Sequence, residues 1–371
     1  MKILSVVGIK GGIGKSTVVK NIISRLKTRL LLANSSKKIL VIDLDHQCNL
    51  TQSYGIYESE GTVVNMFKRN DNDVSIIHVD DKIDIIPGAM DLDIIESELE
   101  TKTFKDMLMY MWLEKNYDKI DGDQYEYVII DCRPDFSIAT RNAIAISHML
   151  LSPIIPSQYS LDARHNLETR LRLYCEENID YKTGESNIDA ELYFVGNMIK
   201  HNTATSKSLL SELENDDKVL GWIPHKELFN RATMISDENG VQPSVYDLIE
   251  TGDYDVKQEF VDHLNNVFDN VIDVLDKTAY KGWKMGFKRN NNIGSVLEQN
   301  HKMNSVASSV VKKKVREKTK PYNFTMKPSV REKLDKLVEY DYESEALSAA
   351  SYLSDMIEQR YQLLELDKVD E

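Results

Sequence analysis

The sequence predicts an α/β protein: a doubly wound, mostly parallel sheet clothed by helices, followed by a basic segment and a small C-terminal unit. Three observations lead there. Short, continuously apolar runs alternate with longer helical patterns over the first 276 residues, and unbroken apolarity marks strands buried on both faces. A glycine-rich turn, Gly11-Gly12-Ile13-Gly14-Lys15-Ser16-Thr17, directly follows the first apolar run. Charge is unevenly spread: within a net charge of −14, residues 277–336 carry 16 basic and 4 acidic side chains.

The predicted strands are 3–7, 39–43, 83–86, 128–131, 149–154, 192–197 and 219–223. A closing helix is expected over 256–276, where Phe260, Leu264, Val267, Phe268, Val271 and Leu275 form one apolar stripe at helical spacing. The 371-residue length and 42% hydrophobic content suit one large domain, residues 1–277, with an appendage. No apolar run approaches the roughly 20 residues of a membrane-spanning helix, and MKILSVVG reads as a first strand rather than a secretory signal. Cys48, Cys132 and Cys175 show no paired spacing, which points to a reduced, cytoplasmic chain without a zinc site.

A strand, then a glycine-rich turn, then a helix is the context a phosphate loop requires. The glycines let backbone N–H groups turn inward, and the helix N-terminus adds partial positive charge. Lys15 is then placed to reach the β- and γ-phosphates of ATP, and Ser16 to coordinate Mg²⁺. The strict phosphate-loop pattern fails at its first position, which falls on Ile9, with Gly8 one residue early. Two acidic motifs complete the expected site. "VIDLDHQCNLT" puts Asp43 and Asp45 two apart, on one side of an extended segment. "YVIIDCRPDFS" ends an apolar strand at Asp131, where a Mg²⁺-associated carboxylate belongs.

The run "KGGIGKST", then "DLDHQCNLT", then "IIDCRP" resembles the ParA/MinD family of deviant Walker ATPases, a SIMIBI-type P-loop fold marked by a lysine at the front of the loop. In that family two subunits sandwich two ATPs, and this lysine reaches the partner's nucleotide. The resemblance covers residues 1–276 and implies that Lys10 couples ATP binding to homodimer formation. It implies Asp45 as the hydrolytic aspartate, Asp43 and Asp131 as Mg²⁺-side carboxylates with Ser16, and Thr17 as an α-phosphate contact. Asn197 of "VGNMIK" falls where the family recognises adenine, and "GWIPHKELFNRA" brings Pro224 to the nucleotide pocket. Two departures stand near the nucleotide: His46 and Arg133 occupy positions where the family has proline, which leaves the hydrolysis rate open.

Residues 278–320 read as a basic linker. Beyond it, "NFTMK" alternates, Pro328 ends it, and two apolar-striped helices follow. One strand cannot form a sheet alone, and pairing it with a copy from another subunit resembles the ribbon-helix-helix fold. That resemblance makes residues 321–371 a DNA-binding and dimerisation domain, with Asn323, Thr325 and Lys327 facing bases. The whole then reads as a DNA-partition ATPase acting on a centromere-like site or nucleoid DNA. The linker, with Arg289 or Arg316, takes the stimulating role that a separate centromere-binding protein often fills. Two other readings stay open: an ATP-switched transcriptional regulator with little hydrolysis, and a MinD-like positioning ATPase. The latter needs a basic amphipathic terminal helix, whereas residues 337–371 are acidic.

Overall fold

The computed structural model describes residues 1–68, 73–180, 184–252 and 256–278. The segment expected to form a ribbon-helix-helix, with Asn323, Thr325 and Lys327, lies outside the described residues, as do Arg289, Arg316 and the rest of the expected linker beyond residue 278. The described residues all belong to one compact unit.

Eight strands form one sheet: β1 (Lys2–Val6), β2 (Lys38–Leu44), β3 (Ile77–Asp80), β4 (Ile83–Ile86), β5 (Tyr125–Cys132), β6 (Met149–Ile154), β7 (Glu191–Ile199) and β8 (Val219–Pro224). Their order is β3-β4-β2-β5-β1-β6-β7-β8. Every neighbouring pair is parallel except β3 and β4. All seven strands expected from the sequence are present, 83–86 and 149–154 to the residue and the others with ends moved by one to three residues. The addition is β3, an antiparallel edge strand joined to β4 through Asp81-Lys82. Its partly exposed side chains, His78 among them, give no continuous apolar run to detect.

The helices are α1 (Lys15–Leu32), α2 (Asn49–Gln52), α3 (Val64–Phe67), α4 (Leu92–Leu99), α5 (Leu108–Asn116), α6 (Ile138–Ile146), α7 (Gln158–Glu177), α8 (Ala204–Leu213), α9 (Glu227–Met234), α10 (Val245–Glu250) and α11 (Gln258–Lys277). They cover both faces. Leu4, Val6, Ile39, Val41 and Ile129 face α1, α9, α10 and α11, while Ile3, Val7, Leu40, Ile42, Val128 and Ile130 face α3, α5, α6 and α7. The period of two along each strand assigns alternate residues to opposite cores. Helix α11 buries Leu264, Val267, Phe268, Val271, Ile272 and Leu275, with Phe260 packed partly against them. It is fastened to α1 by a two-pronged Arg25–Asp269 pair at 2.9 and 2.6 Å and by Arg29–Asp273 at 2.9 Å. Among the described residues no helix is long and apolar enough to cross a membrane.

Because every long strand runs the same way, the loops leaving their C-terminal ends gather on one edge. Strand β1 lies between β5 and β6, where the winding reverses, and a ligand crevice belongs at such a switch point. The opposite edge carries a buried polar network. Asp84 of β4 accepts hydrogen bonds from Lys38 Nζ at 3.1 Å and Tyr125 Oη at 2.9 Å, and its other oxygen lies 2.8 Å from His78 Nδ1. Burial alone would raise the Asp84 pKa, but the His78, Lys38 and Tyr125 contacts outweigh it and hold the carboxyl below its ordinary value.

A group whose pKa is depressed on folding contributes stability above its unfolded value, near 4, and loses it as pH falls through the folded value. Asp84→Asn is therefore expected to cost about 1–2 kcal/mol at pH 7. That difference from wild type should shrink below pH of about 4 in thermal unfolding.

Candidate nucleotide site

The loop after β1 turns directly into α1, whose N-cap is Gly14 at φ 80°. Gly12 is also left-handed, at φ 71°. A Cβ on Gly14 would meet Asn197 Nδ2 at 2.5 Å, so both conformation and space restrict this position to glycine. The Asn197 amide explains the closeness: Nδ2 donates to Ile13 O at 2.7 Å, and Oδ1 accepts from Met198 N at 2.9 Å. Asn197 thus latches the end of β7 to the back of the phosphate loop. The resemblance gave it to adenine, but this buried amide is already engaged with backbone, and it does not line the cleft described next.

A cleft of about 470 Å³ opens over the loop. Gly11, Gly12, Ile13, Gly14, Lys15, Ser16 and Thr17 form its floor, and Lys20 and Asn21 continue along α1. Asp45, Gln47, Asn49 and Gln52 form one wall, and Ala232, Thr233, Gln242, Pro243 and Ser244 another. Backbone N–H groups of a loop like this, backed by a helix N-terminus, suit a polyphosphate. Lys15, only 7% exposed, brings the compensating cation.

Beneath the cleft, Asp43 and Asp131 are register neighbours on β2 and β5, both with no solvent exposure. Asp43 is fully provided for. Its Oδ1 accepts from Asp45 N at 3.1 Å, and its Oδ2 from Thr51 N at 2.9 Å and Thr51 Oγ1 at 2.7 Å. The oxygens of Asp131 have no hydrogen-bond partner, although the Ser16 hydroxyl and Lys15 ammonium lie close enough to act on it. Burial, reinforced by the Asp43 charge, pushes the Asp131 carboxyl far above its ordinary range, and Ser16 and Lys15 oppose that only in part. Burial raises Asp43 as well. An orphaned buried carboxylate facing Ser16 is a fit for a hydrated Mg²⁺ arriving with a nucleotide. Such an ion takes one or two protein groups and completes its shell with phosphate and water. Among the described residues no cluster of three or more His, Cys, Asp or Glu could hold a metal unaided.

The expectation that Asp43 and Asp45 share one side of an extended segment is corrected. Strand β2 stops at Leu44 and the chain turns, with Cys48 N donating to Asp45 O at 2.8 Å. Asp43 is left under the sheet end while Asp45 swings into the cleft wall, its Oδ1 accepting from Gln47 N at 3.0 Å. His46 follows it, with Nδ1 3.5 Å from Asp45 Oδ1 and no other partner for that nitrogen. Arg133 turns away from the cleft. It pairs with Glu96 at 2.6 Å and Asp135 at 2.5 Å, and Glu96 also accepts from Ala139 N at the start of α6. This departure from the family pattern is a structural tie.

Lys10 also leaves its own cleft. Its Nζ donates to Ser157 Oγ at 3.1 Å and lies 5.6 Å from the centre of the exposed Tyr159 ring. Pro224 ends β8 and is absent from the cleft lining. Sequence reading missed Lys20, Gln47, Thr233, Gln242 and Ser244. They come from segments far apart in the chain, and only the fold brings them to one cleft.

A family model described as an AAA domain matches residues 1–181. The chain is 29% identical over 176 residues to the sporulation initiation inhibitor protein Soj of Bacillus subtilis, covering 46% of this chain and 65% of that protein. It is 31% identical over 166 residues to the virulence plasmid ParA family protein pGP5-D of Chlamydia psittaci, covering 43% of this chain and 60% of that one. The chain thus spans slightly under two thirds of the length of each. Among solved structures, it shares its fold with a plasmid partition protein from Borrelia burgdorferi bound to AMPPNP. There the TM-score is 0.57 at 23% identity, over 74% of this chain and 99% of that one. These sequence likenesses each cover less than half of the chain, and the structural likeness extends over the fold of the whole α/β domain.

The loop geometry separates two glycines. Gly14→Ala should lower stability by about 1–3 kcal/mol, through left-handed strain and the clash with Asn197. Gly11→Ala, with nothing within 4 Å of the added carbon and no left-handed backbone, should stay within about 0.5 kcal/mol of wild type in denaturant unfolding.

Proposed function

We propose that this chain is a DNA-partition ATPase whose two subunits close around ATP and Mg²⁺ and reopen on slow hydrolysis. The observation that carries the proposal is the pairing of two lysines with different destinations. Lys15 is buried at its own phosphate site, whereas Lys10 points out toward Ser157 and exposed Tyr159. A cation that serves no group in its own cleft is available to a nucleotide held by a second copy.

In this reading the loop N–H groups and Lys15 hold the β- and γ-phosphates, and Thr17 contacts the α-phosphate. Ser16 and Asp131 hold the Mg²⁺, which draws charge from the phosphate oxygens, and Asp43 supports Asp131 from the adjoining strand. Asp45 orients a water whose oxygen attacks the γ-phosphorus as the bond to the β-phosphate oxygen breaks; the water's proton leaves toward Asp45, and ADP and phosphate depart. The partner's Lys10 meets the charge spreading over the γ-phosphate. Asn197 serves the site by fixing the loop, and Pro224 lies at the end of the neighbouring strand.

DNA enters the proposal through the basic residues 277–336 and the ribbon-helix-helix-like segment, with Asn323, Thr325 and Lys327 as base contacts. The arm 278–320, with Arg289 or Arg316, supplies stimulation in cis, and a separate centromere-binding protein is a further partner of the same surface. A second reading, an ATP-switched regulator with little turnover, is favoured by one observation: His46 crowds Asp45 at 3.5 Å, where it competes for the carboxylate.

Phosphate release and light scattering test the scheme together. Asp45→Ala should cut turnover at least about 100-fold while keeping the ATP-dependent dimer. Lys10→Ala should keep nucleotide binding and lose that dimer, and a dimer unchanged by Lys10→Ala overturns the proposal. Turnover that survives Asp45→Ala removes the hydrolytic assignment, and an inactive wild type that still dimerises selects the switch reading. Deleting residues 320–371 should erase a specific DNA footprint while leaving basal phosphate release intact.

A further inference from the structure

The partly buried Lys20 is unused by the phosphate chemistry above. It lies one turn beyond Ser16 on α1, so both side chains emerge on the same helix face. Its Nζ donates to Ser53 O at 2.9 Å and sits 4.8 Å over the Tyr54 ring. Ser53 O also accepts from Gln242 N at 2.9 Å, and Tyr54 bridges to Val241. One carbonyl therefore joins three segments that wall the cleft: α1, the stretch from Asp45 through α2, and the connection between α9 and α10. The Asp45 end of that stretch is anchored by its own N–H, which donates to Asp43 Oδ1 at 3.1 Å, and α2 is anchored by Thr51, which donates to Asp43 Oδ2 and whose hydroxyl also accepts from Gly88 N at 2.8 Å. The far end, at Ser53, hangs on Lys20 and Gln242.

We propose that Lys20 is a positioning residue for hydrolysis, tying the Asp45-bearing segment to the phosphate-loop helix so that loop and carboxylate keep one distance across the nucleotide. The inference rests on the ATPase reading for its effect on turnover, but the tie itself belongs to the free protein. Burial pulls the Lys20 pKa down to about 8, and Asp247 of α10 opposes the shift. The other charged groups around it are settled. Lys27, further along α1, pairs with Asp80 at 2.7 Å, and Asp247 accepts from Ser244 N. Asp237 accepts from Asn239 and Val241 N, and the Tyr54 phenol is held neutral by burial. As Lys20 deprotonates, the bond to Ser53 weakens and the hold on the Tyr54 ring is lost.

The test uses the full-length protein and the variants Lys20→Met and Lys20→Arg. Hydrogen exchange without nucleotide should show faster exchange across residues 47–54 in Lys20→Met and protection restored in Lys20→Arg. With ATP and Mg²⁺, Lys20→Met should lose about tenfold in kcat with KM changed less than about twofold, and Lys20→Arg should recover most of it. Wild-type kcat should fall about threefold between pH 7.5 and 9, whereas Lys20→Arg, which does not titrate there, should stay level. Unchanged exchange in Lys20→Met overturns the tie. A kcat loss that arginine does not rescue, or one matched by an equal rise in KM, overturns the positioning role. If exchange behaves as expected and the wild type shows no turnover, the tie stands and the ATPase reading fails.

Discussion

Everything at this site depends on two carboxylates that cannot both be charged and dry without help. Asp43 and Asp131 are side by side because parallel pairing of β2 and β5 puts them in register, and neither reaches solvent. The protein answers the two charges differently. Asp43 is wrapped by Asp45 N, Thr51 N and Thr51 Oγ1, which turns it into the anchor of the following turn. Asp131 is given no donor, only the nearby Lys15 and Ser16. An unpaired buried charge is costly, so the site is built to gain from a ligand that brings positive charge to that spot. In the proposed reading, a nucleotide arriving with its metal relieves this imbalance.

The same pair organises the cleft walls. Anchoring Asp43 through Thr51 fixes where α2 begins and aims Asp45 into the open side. Thr51 also takes the N–H of Gly88, so the turn after β4 joins the arrangement. Cys48, held at φ 54° and 6% exposed, is the strained residue within that turn, and burial raises its thiol pKa to about 12. A cysteine in that state is packing material rather than a nucleophile.

Much of the fold was legible because parallel strands buried on both faces announce themselves as apolar runs, as 149–154 and 83–86 did to the residue. Strand β3 was not, because an edge strand with one partner and partly exposed side chains obeys a weaker pattern. Lys15, Ser16 and Asp45 could be placed together from sequence because short spacings next to strand ends bring them to one cleft, with Asp131 at the adjoining strand end. Asn197 was expected from the resemblance at the adenine position, and only the coordinates show that its amide is engaged with Ile13 O and Met198 N. Lys20 gave no local signal. On α1 it reads as one more helical lysine, and its meaning comes from Ser53, 33 residues away.

The last described helix has a mechanical side. Helix α11 is riveted to α1 by Arg25–Asp269 and Arg29–Asp273, and the carbonyl of Thr278, just past its end, receives Lys2 Nζ from the first residue of β1. The strand and helix that frame the phosphate loop are therefore the same two elements to which the exit of the domain is bolted. Force applied to the backbone at Thr278 therefore enters the molecule beside the glycine-rich loop instead of dissipating at a remote corner.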